Sequence, residues 1–398
     1  MQLFSPSLYI IINNFSFIFL VGDKDEKNNF KIIYEENIKI DGIFYNKILD
    51  YEKTYKFIKD NIYYLEQKLN YTFKETIIIL ENFNLSFINI SGFKNLNSSQ
   101  ILKENIYYIL NTLKSYVETT EIKKTILHIF NSKFILDKKE IKNLPIGLFG
   151  DSYSHELSFI LANKNDLRNL KSIFEKCNLK IKKILVKSFI EGAYLANKIK
   201  NFDTFFLVEI KDNNTKIFYF ENNSLKFEQN FNFGTEIILQ DIKKITLLDR
   251  STIINVLREF LFDKELINDE LVEKEYFKKE KYRKIKKKLI FDIVNARIKE
   301  ISEIIFSKNV NFDFALKKKN FVFLRINIKD KSEFLEKSFL SSLRIDDSCT
   351  IKISQNISSE DLVEKTDEIV HYGWEKEAIP IIHEKKTVIA RFFDMIFG

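Results

Sequence analysis

Two stretches of the chain set out apolar runs and polar breaks in the same order. Near the start, LYIIIN at 8–13, FSFIFLVG at 15–22 and FKIIYEE at 30–36 read as three successive strands. A helix follows over 51–69, where Tyr55, Ile58, Ile62, Leu65 and Leu69 recur at helical spacing, and then a buried strand at 76–80. The order begins again far downstream with TFFLVEI at 204–210, TKIFYF at 215–220, a strand at 225–230 and a helix from about 236. Such a repeat is too long for a solenoid and suits two similar halves, between which a ligand would bind.

The segment 82–161 fits neither copy and reads as an inserted subdomain, with strands LSFINI, TILHIFNSKFILD and SHELSFILA and a helix at 99–117. Helices at 167–177 and 189–199 return to the first half. After the second set of strands the pattern predicts helices at 237–245 and 250–262, an acidic loop at 264–275 and one long helix at 276–306. A strand at 321–328 and helices at 332–343 and 359–373 follow. The expected layout is a first half from 1–81 and 163–203, an insert at 82–162 and a second half from 204–243 and 309–377. A small subdomain covers 244–308, a linker 378–383 and a terminal helix 384–398.

That last stretch, EKKTVIARFFDMIFG, is amphipathic: Val388, Ile389, Phe392, Phe393, Met395, Ile396 and Phe397 share one face, with Glu384, Thr387, Arg391 and Asp394 opposite. It is shorter than the ~20 residues a span needs, yet Lys385, Lys386 and Arg391 beside three phenylalanines suit a helix lying in a headgroup layer. Seven apolar side chains give a gross burial term of about 10 kcal/mol or more, less the ordering cost, which means reversible attachment. Docking on its own domain or on a partner fits the same pattern.

Composition narrows the classes. With 45% hydrophobic and 14% aromatic residues the chain holds ample cores, and 63 basic against 56 acidic residues leave a mild net charge of +7 that does not by itself call for nucleic acid. Two cysteines, Cys177 and Cys349, have no metal or redox spacing and read as small apolar residues of a reducing compartment. The four histidines, His128, His155, His371 and His383, have no ligand spacing, so no metal site is expected. No Walker loop, nucleophile elbow or paired-cysteine site is present, and no catalytic residue is assigned. The start of the chain lacks the basic flank and cleavage site of a signal peptide. Nine glycines in 398 residues fall far below the usual ~7%.

Several motifs in order resemble FtsA, the actin-like division protein family of bacteria. ILHIFNSKFILD at 126–137 is similar to a family strand, and KNLPIGLFG at 142–150 resembles the family's Asn-Pro-x-Gly-x-x-Gly with one residue inserted. GTEIILQDI at 234–242 looks like its Gly-rich turn, IVNARIKEI at 293–301 matches a helix with Arg297 and Glu300 in place, and His371, Tyr372 and Gly373 resemble its last core helix. The resemblance spans nearly the whole chain. It implies an α/β, actin-like fold of two ribonuclease-H-like halves, an inserted α+β subdomain in the first half and a C-terminal amphipathic helix. It also implies a scaffold tethering FtsZ filaments to the cytoplasmic side of the inner membrane at the division site. Self-association and contacts with other division proteins through the insert come with it.

The departures concern nucleotide. The family's first phosphate loop aligns with Ile11, Ile12, Asn13 and Asn14, the second with Glu209, Ile210, Lys211, Asp212, Asn213 and Asn214, and the nucleoside loop near Leu324, Arg325, Ile326 and Asn327, all without glycine. ATP with Mg is the ligand the family implies, but β-carbons would stand where its phosphates need room and Asp212 would repel them. A degenerate site at Glu209, Lys211, Asn214 and Gly234 remains, and a pseudo-enzyme scaffold is favoured over a hydrolase. The basic run KKEKYRKIKKK at 278–288 reads as a solvated helix face or, if FtsA-like, as part of the subdomain that grips the FtsZ tail, with Lys287, Arg297 and Glu300 as candidate contacts. An ATP-hydrolysing actin relative and a PilM-like pilus-assembly scaffold are the alternatives.

Overall fold

Residues 205–210 are apolar but for one glutamate and all buried, which is the signature of a strand covered on both faces at the centre of a sheet. This central strand belongs to a computed structural model that describes residues 6–13, 16–24, 30–39, 43–44, 47–198, 203–259, 270–278, 280–312, 320–327, 333–342 and 349–378. Two units emerge, the first drawn from Met1–Lys198, Asn222–Lys226 and Ile357–Gly398, the second from Ile199–Glu221 and Phe227–Asn356.

In the first unit, β1 (Ser7–Ile12), β2 (Ser16–Lys24) and β3 (Phe30–Lys39) form an antiparallel meander. A two-stranded ribbon, β4 (Ile43–Phe44) with β5 (Lys47–Ile48), leads to helix α1 (Tyr51–Leu69). β6 (Glu75–Leu80) then pairs parallel with β1. Helix α1 starts where Asp50 accepts from the Lys53 amide at 2.9 Å and stops at Asn70, whose left-handed φ of 48° only a small polar residue or glycine adopts easily. Between them Thr54, Ile58, Ile62 and Leu65 are buried on one stripe against the sheet.

The insert is a second sheet. β7 (Leu85–Gln100), β8 (Lys124–Leu136), β9 (Lys139–Ile141) and β10 (Phe149–Asn163) lie in the order β7-β10-β8-β9, with α2 (Lys103–Thr120) across one face. The helix begins at Lys103 rather than 99, because Ser99 and Gln100 are still paired with Gly150 and Phe149 of β10. α3 (Lys164–Lys176), β11 (Lys180–Val186) and α4 (Lys187–Lys198) complete the unit's sheet, in the order β11-β6-β1-β2-β3.

The second unit repeats that order. β12 (Phe205–Lys211), β13 (Thr215–Glu221) and β14 (Ser224–Phe231), whose residues up to Lys226 count with the first unit, precede α5 (Glu236–Thr246), α6 (Arg250–Glu259) and α7 (Lys287–Ser302). β15 (Asn320–Asn327), α8 (Glu333–Ser342) and β16 (Cys349–Ile353) follow, and the sheet runs β14-β13-β12-β15-β16. As in the first sheet, the middle strand pairs antiparallel with the strand after it and parallel with a later one. The twofold repetition expected from the pattern is therefore present as one α/β sheet topology used twice.

The structure differs from the sequence pattern in three places. The long helix expected over 276–306 is only α7, continued by a π turn at Glu303–Ser307. Upstream of it the chain is drawn off by tertiary hydrogen bonds, since the Val272 amide donates to the Ile285 carbonyl at 2.9 Å and Leu271 bridges Lys286. Helix α9 (Ser359–Tyr372), expected in the second half, lies in the first unit, where it packs on α4 and β3. Ala378, expected to begin a linker, is buried and donates its amide to the Ile129 carbonyl at 2.7 Å. The terminal amphipathic helix, with Lys385, Lys386, Val388, Ile389, Arg391, Phe392, Phe393, Ile396 and Phe397, lies outside the described residues.

Candidate functional site

Helix N-termini present free N–H groups and a positive dipole end, which makes them ready seats for phosphate. At the start of α5 two of those donors are already used. The turn joining β12 to β13 closes with the Lys211 amide on the Asn214 carbonyl at 2.9 Å. It then offers its own carbonyls to the helix: the Thr235 amide donates to Lys211 O at 3.0 Å and the Glu236 amide to Asp212 O at 2.8 Å. Gly234 is required by this closeness, because a β-carbon there would stand 1.9 Å from the Lys211 carbonyl oxygen and 2.6 Å from that of Asp212. The glycine serves the chain's own backbone.

The charge of Glu209 is met in the same way. Glu209 on β12 and Arg325 on β15 are direct partners in the parallel register, and the Arg325 guanidinium donates to the carboxylate at 2.6 Å with both residues buried. The Lys211 ammonium stands 3.4 Å from the other carboxylate oxygen. So the four residues read as a degenerate nucleotide site, Glu209, Lys211, Asn214 and Gly234, do meet at one turn, and Arg325 from the aligned nucleoside loop joins them. The set does not fit a magnesium nucleotide. The acid that would face the metal holds two cations, and the helix terminus that would face a phosphate holds two carbonyls.

Of the candidates in the small subdomain, Arg297 meets Glu300 while Lys287 stands apart. Lys287 opens α7 and Arg297 lies ten residues on, about 15 Å along the axis. Lys287 bonds Glu270 at 2.9 Å and Glu273 at 2.5 Å. Partial burial lowers its pKa, yet Glu273 and Glu270 outweigh that and hold it above the ordinary lysine value. Arg297 bonds Asp241 of α5 and Glu300 of its own helix, each at 2.5 Å, and the Asp241 carboxylate holds its guanidinium above the usual range. In the basic run, Arg283 donates to the last carbonyls of α5, Thr246 O at 3.2 Å and Leu247 O, and to Glu280 at 2.5 Å.

A polar cluster the sequence pattern did not expose lies in the first unit. Asp367 on α9 is buried and accepts from the Tyr9 hydroxyl at 2.7 Å, with the Lys24 ammonium at 2.8 Å and His371 Nδ1 at 3.1 Å. Nearby, residues 374–378 run beside β8, and Glu377 meets His128 at 3.2 Å and Lys183 at 2.9 Å. Burial raises the Glu377 pKa, but His128 and Lys183 outweigh it and keep the carboxyl below the usual range. Burial likewise lowers His128, and it lowers His155 to about 4. No spacing along the chain links these partners. Among the described residues no group of His, Cys, Asp or Glu is arranged to hold a metal ion.

No family model matches the chain and no curated protein matches it. Among solved structures it is similar to the PilM–PilN type IV pilus biogenesis complex, with TM-score 0.51 and 11% identity over 92% of this chain and 95% of that one. Other similar structures are the ethanolamine utilization protein EutJ from Carboxydothermus hydrogenoformans (TM-score 0.41, 8% identity, 93% and 90% covered) and ADP-bound MreB5 of Spiroplasma citri (TM-score 0.42, 9% identity, 92% and 95% covered). The first likeness is one of fold over most of both chains, and it agrees with the repeated sheet topology: the chain has an α/β, actin-like fold.

Proposed function

We propose that the chain is an actin-like scaffold that neither binds ATP tightly nor turns it over, and that it tethers a filament or assembly partner to a membrane surface as the FtsA family does. One observation carries the non-hydrolytic half: the β12–β13 turn spends its carbonyls on the N-terminus of α5 while Glu209 is held by Arg325 and Lys211. The tether rests on the amphipathic sequence at 384–398 and on the FtsA-like motifs, with FtsZ's tail as the partner and self-association of the scaffold alongside.

Calorimetry with Mg-ATP tests the first half. No heat of binding at micromolar nucleotide is expected, and micromolar affinity would overturn the proposal. Sedimentation with anionic vesicles tests the second: Phe392→Glu with Phe393→Glu should leave the protein in the supernatant, and unchanged pelleting would remove the tail from the account. A pilus-assembly scaffold is the second reading, favoured by the fold likeness to the PilM–PilN complex over most of both chains. Pull-downs with an FtsZ tail peptide and with a pilus-assembly membrane-protein peptide separate the two.

A further inference from the structure

The chain does not leave the first unit at the end of α9. Beyond Gly373 it runs along the outer edge of β8, where the Asn131 amide donates to Lys376 O and the Ala378 amide to Ile129 O, each at 2.7 Å. Side chains pin the same stretch. Glu377 holds His128 at 3.2 Å and Lys183 at 2.9 Å, and Trp374 is buried with its ring edge-on to Phe189. Pro380, two positions past Ala378, has no N–H to carry the ladder on. The point from which the terminal stretch departs is thereby fixed at Ala378.

Ala378 also forms part of the wall of a groove of about 950 Å3 that opens between the end of α2, β8 and the end of α9. Its apolar lining comes from Ile122, Ile126, Ile129, Val370, Tyr372 and Ala378, while Lys183 is answered there by Glu377 and Lys114 by Glu118 at 3.8 Å. Ile122 is 72% and Tyr372 78% exposed. Large apolar side chains left open together on one concave face mark an interaction site rather than scattered surface.

We propose that the apolar face of 384–398 folds back into this groove, so that the groove and a membrane compete for one tail. The inference rests on the amphipathic reading of that tail and adds where it goes when no lipid is present. Residues 379–383 span at most about 17 Å and a fifteen-residue helix about 22 Å, so the tail stays within reach of the groove at its root. A tether this short sets an effective concentration on the order of 1 mM. A groove affinity of only ~0.1 mM then keeps the tail docked about nine-tenths of the time, while a free peptide or a second copy at micromolar concentration competes at a disadvantage of about a thousandfold. Phe392 and Phe393 serve both sites and can enter only one at a time.

Trypsin acting on the full chain without lipid tests this through the rate of cleavage after Arg391, which docking shields. Ile122→Ser with Tyr372→Ser, both at exposed positions, should weaken docking about tenfold and so speed that cleavage about fivefold, with an unchanged far-UV spectrum. The same variant should bind anionic vesicles about fivefold more tightly, because less of the tail is withheld. Cleavage no faster in the variant than in the unmodified chain overturns the proposal. So does protection that grows with protein concentration, which would put a neighbour's tail in the groove. If neither form pellets with vesicles, the membrane reading falls, and faster cleavage of the variant still upholds the docking.

Discussion

Two sheets with one strand order gather charge at opposite ends of their central strands. In the first, Tyr9, Lys24 and Asp367 gather where β1 begins, and the far end of β1 runs out through Ile11 and Ile12 into a turn closed by the Asn13 side chain on the Ser16 amide at 2.9 Å. In the second, Glu209, Arg325 and Lys211 gather where β12 ends. Ligands of α/β sheets sit beyond the carboxyl ends of the strands. There the first sheet has Lys187 bonded to Glu81 at 3.0 Å beside the buried Glu191, and the second a carboxylate already neutralised. The shared topology follows the apolar pattern, while the polar groups at the strand ends differ between the two sheets.

The largest expected effect comes from separating the Glu209 and Arg325 charges. Glu209→Leu leaves a guanidinium buried beside a leucine and should cost about 3 to 5 kcal/mol in urea unfolding, whereas Glu209→Leu with Arg325→Leu should recover most of that loss. Arg325→Leu alone should cost less, because Lys211 still faces the carboxylate. Equal costs for the two single variants would mean that the pair does not dominate this end of the sheet.

Acid should divide the two units. The second has no histidine, while the first holds His155, lowered to about 4, and His128, lowered as well, both because burial disfavours the charged ring. A folded pKa below the unfolded value of about 6.5 means the unfolded chain binds more protons, so stability present above pH ~6.5 drains away as pH falls toward ~4. For His155 alone the loss is on the order of 3 kcal/mol. Trp374, the single tryptophan, reports the first unit by fluorescence, and its acid midpoint should precede the loss of far-UV signal from the second. His155→Gln should move the two transitions together.

Gly234→Ala sharpens the comparison at the turn itself. The added carbon meets backbone rather than a movable side chain, so the β12–β13 turn or α5 must shift, at about 1 to 3 kcal/mol. A site built for phosphate would lose nucleotide affinity with little change in stability, and thermal melting distinguishes the two outcomes.

Much of the frame was legible because central strands are buried on both faces and print as near-continuous apolar runs, as at 8–12 and, but for Glu209, at 205–210. Helix α1 was legible from its stripe and its caps. The pairing of Glu209 with Arg325 was not, since it arises from the parallel register of β12 on β15, 116 positions apart, which no local pattern encodes. The period of α9 says that one face is buried without saying against which sheet, so Asp367 and its partners stayed hidden. The basic run reads as helix on charge spacing, yet Arg283 contributes more by capping α5 than by extending α7.

The smallest expected effect tests whether the second unit's surface cations are structural or reserved for a partner. Arg297 ties α7 to Asp241 of α5 and is about a quarter exposed, so Arg297→Ala should cost about 1 kcal/mol after solvent screening. Lys287, bonded to Glu270 and Glu273 at the surface, should cost less when replaced by Ala. If either cation serves an acidic tail, that peptide must displace carboxylates already within 2.5 to 2.9 Å. Replacing Glu270 and Glu273 with Gln should then tighten peptide binding through Lys287 while Asp241→Asn does the same through Arg297. Fluorescence anisotropy with a labelled FtsZ tail reads both, and if neither set of substitutions changes affinity, these cations hold only their own subdomain together.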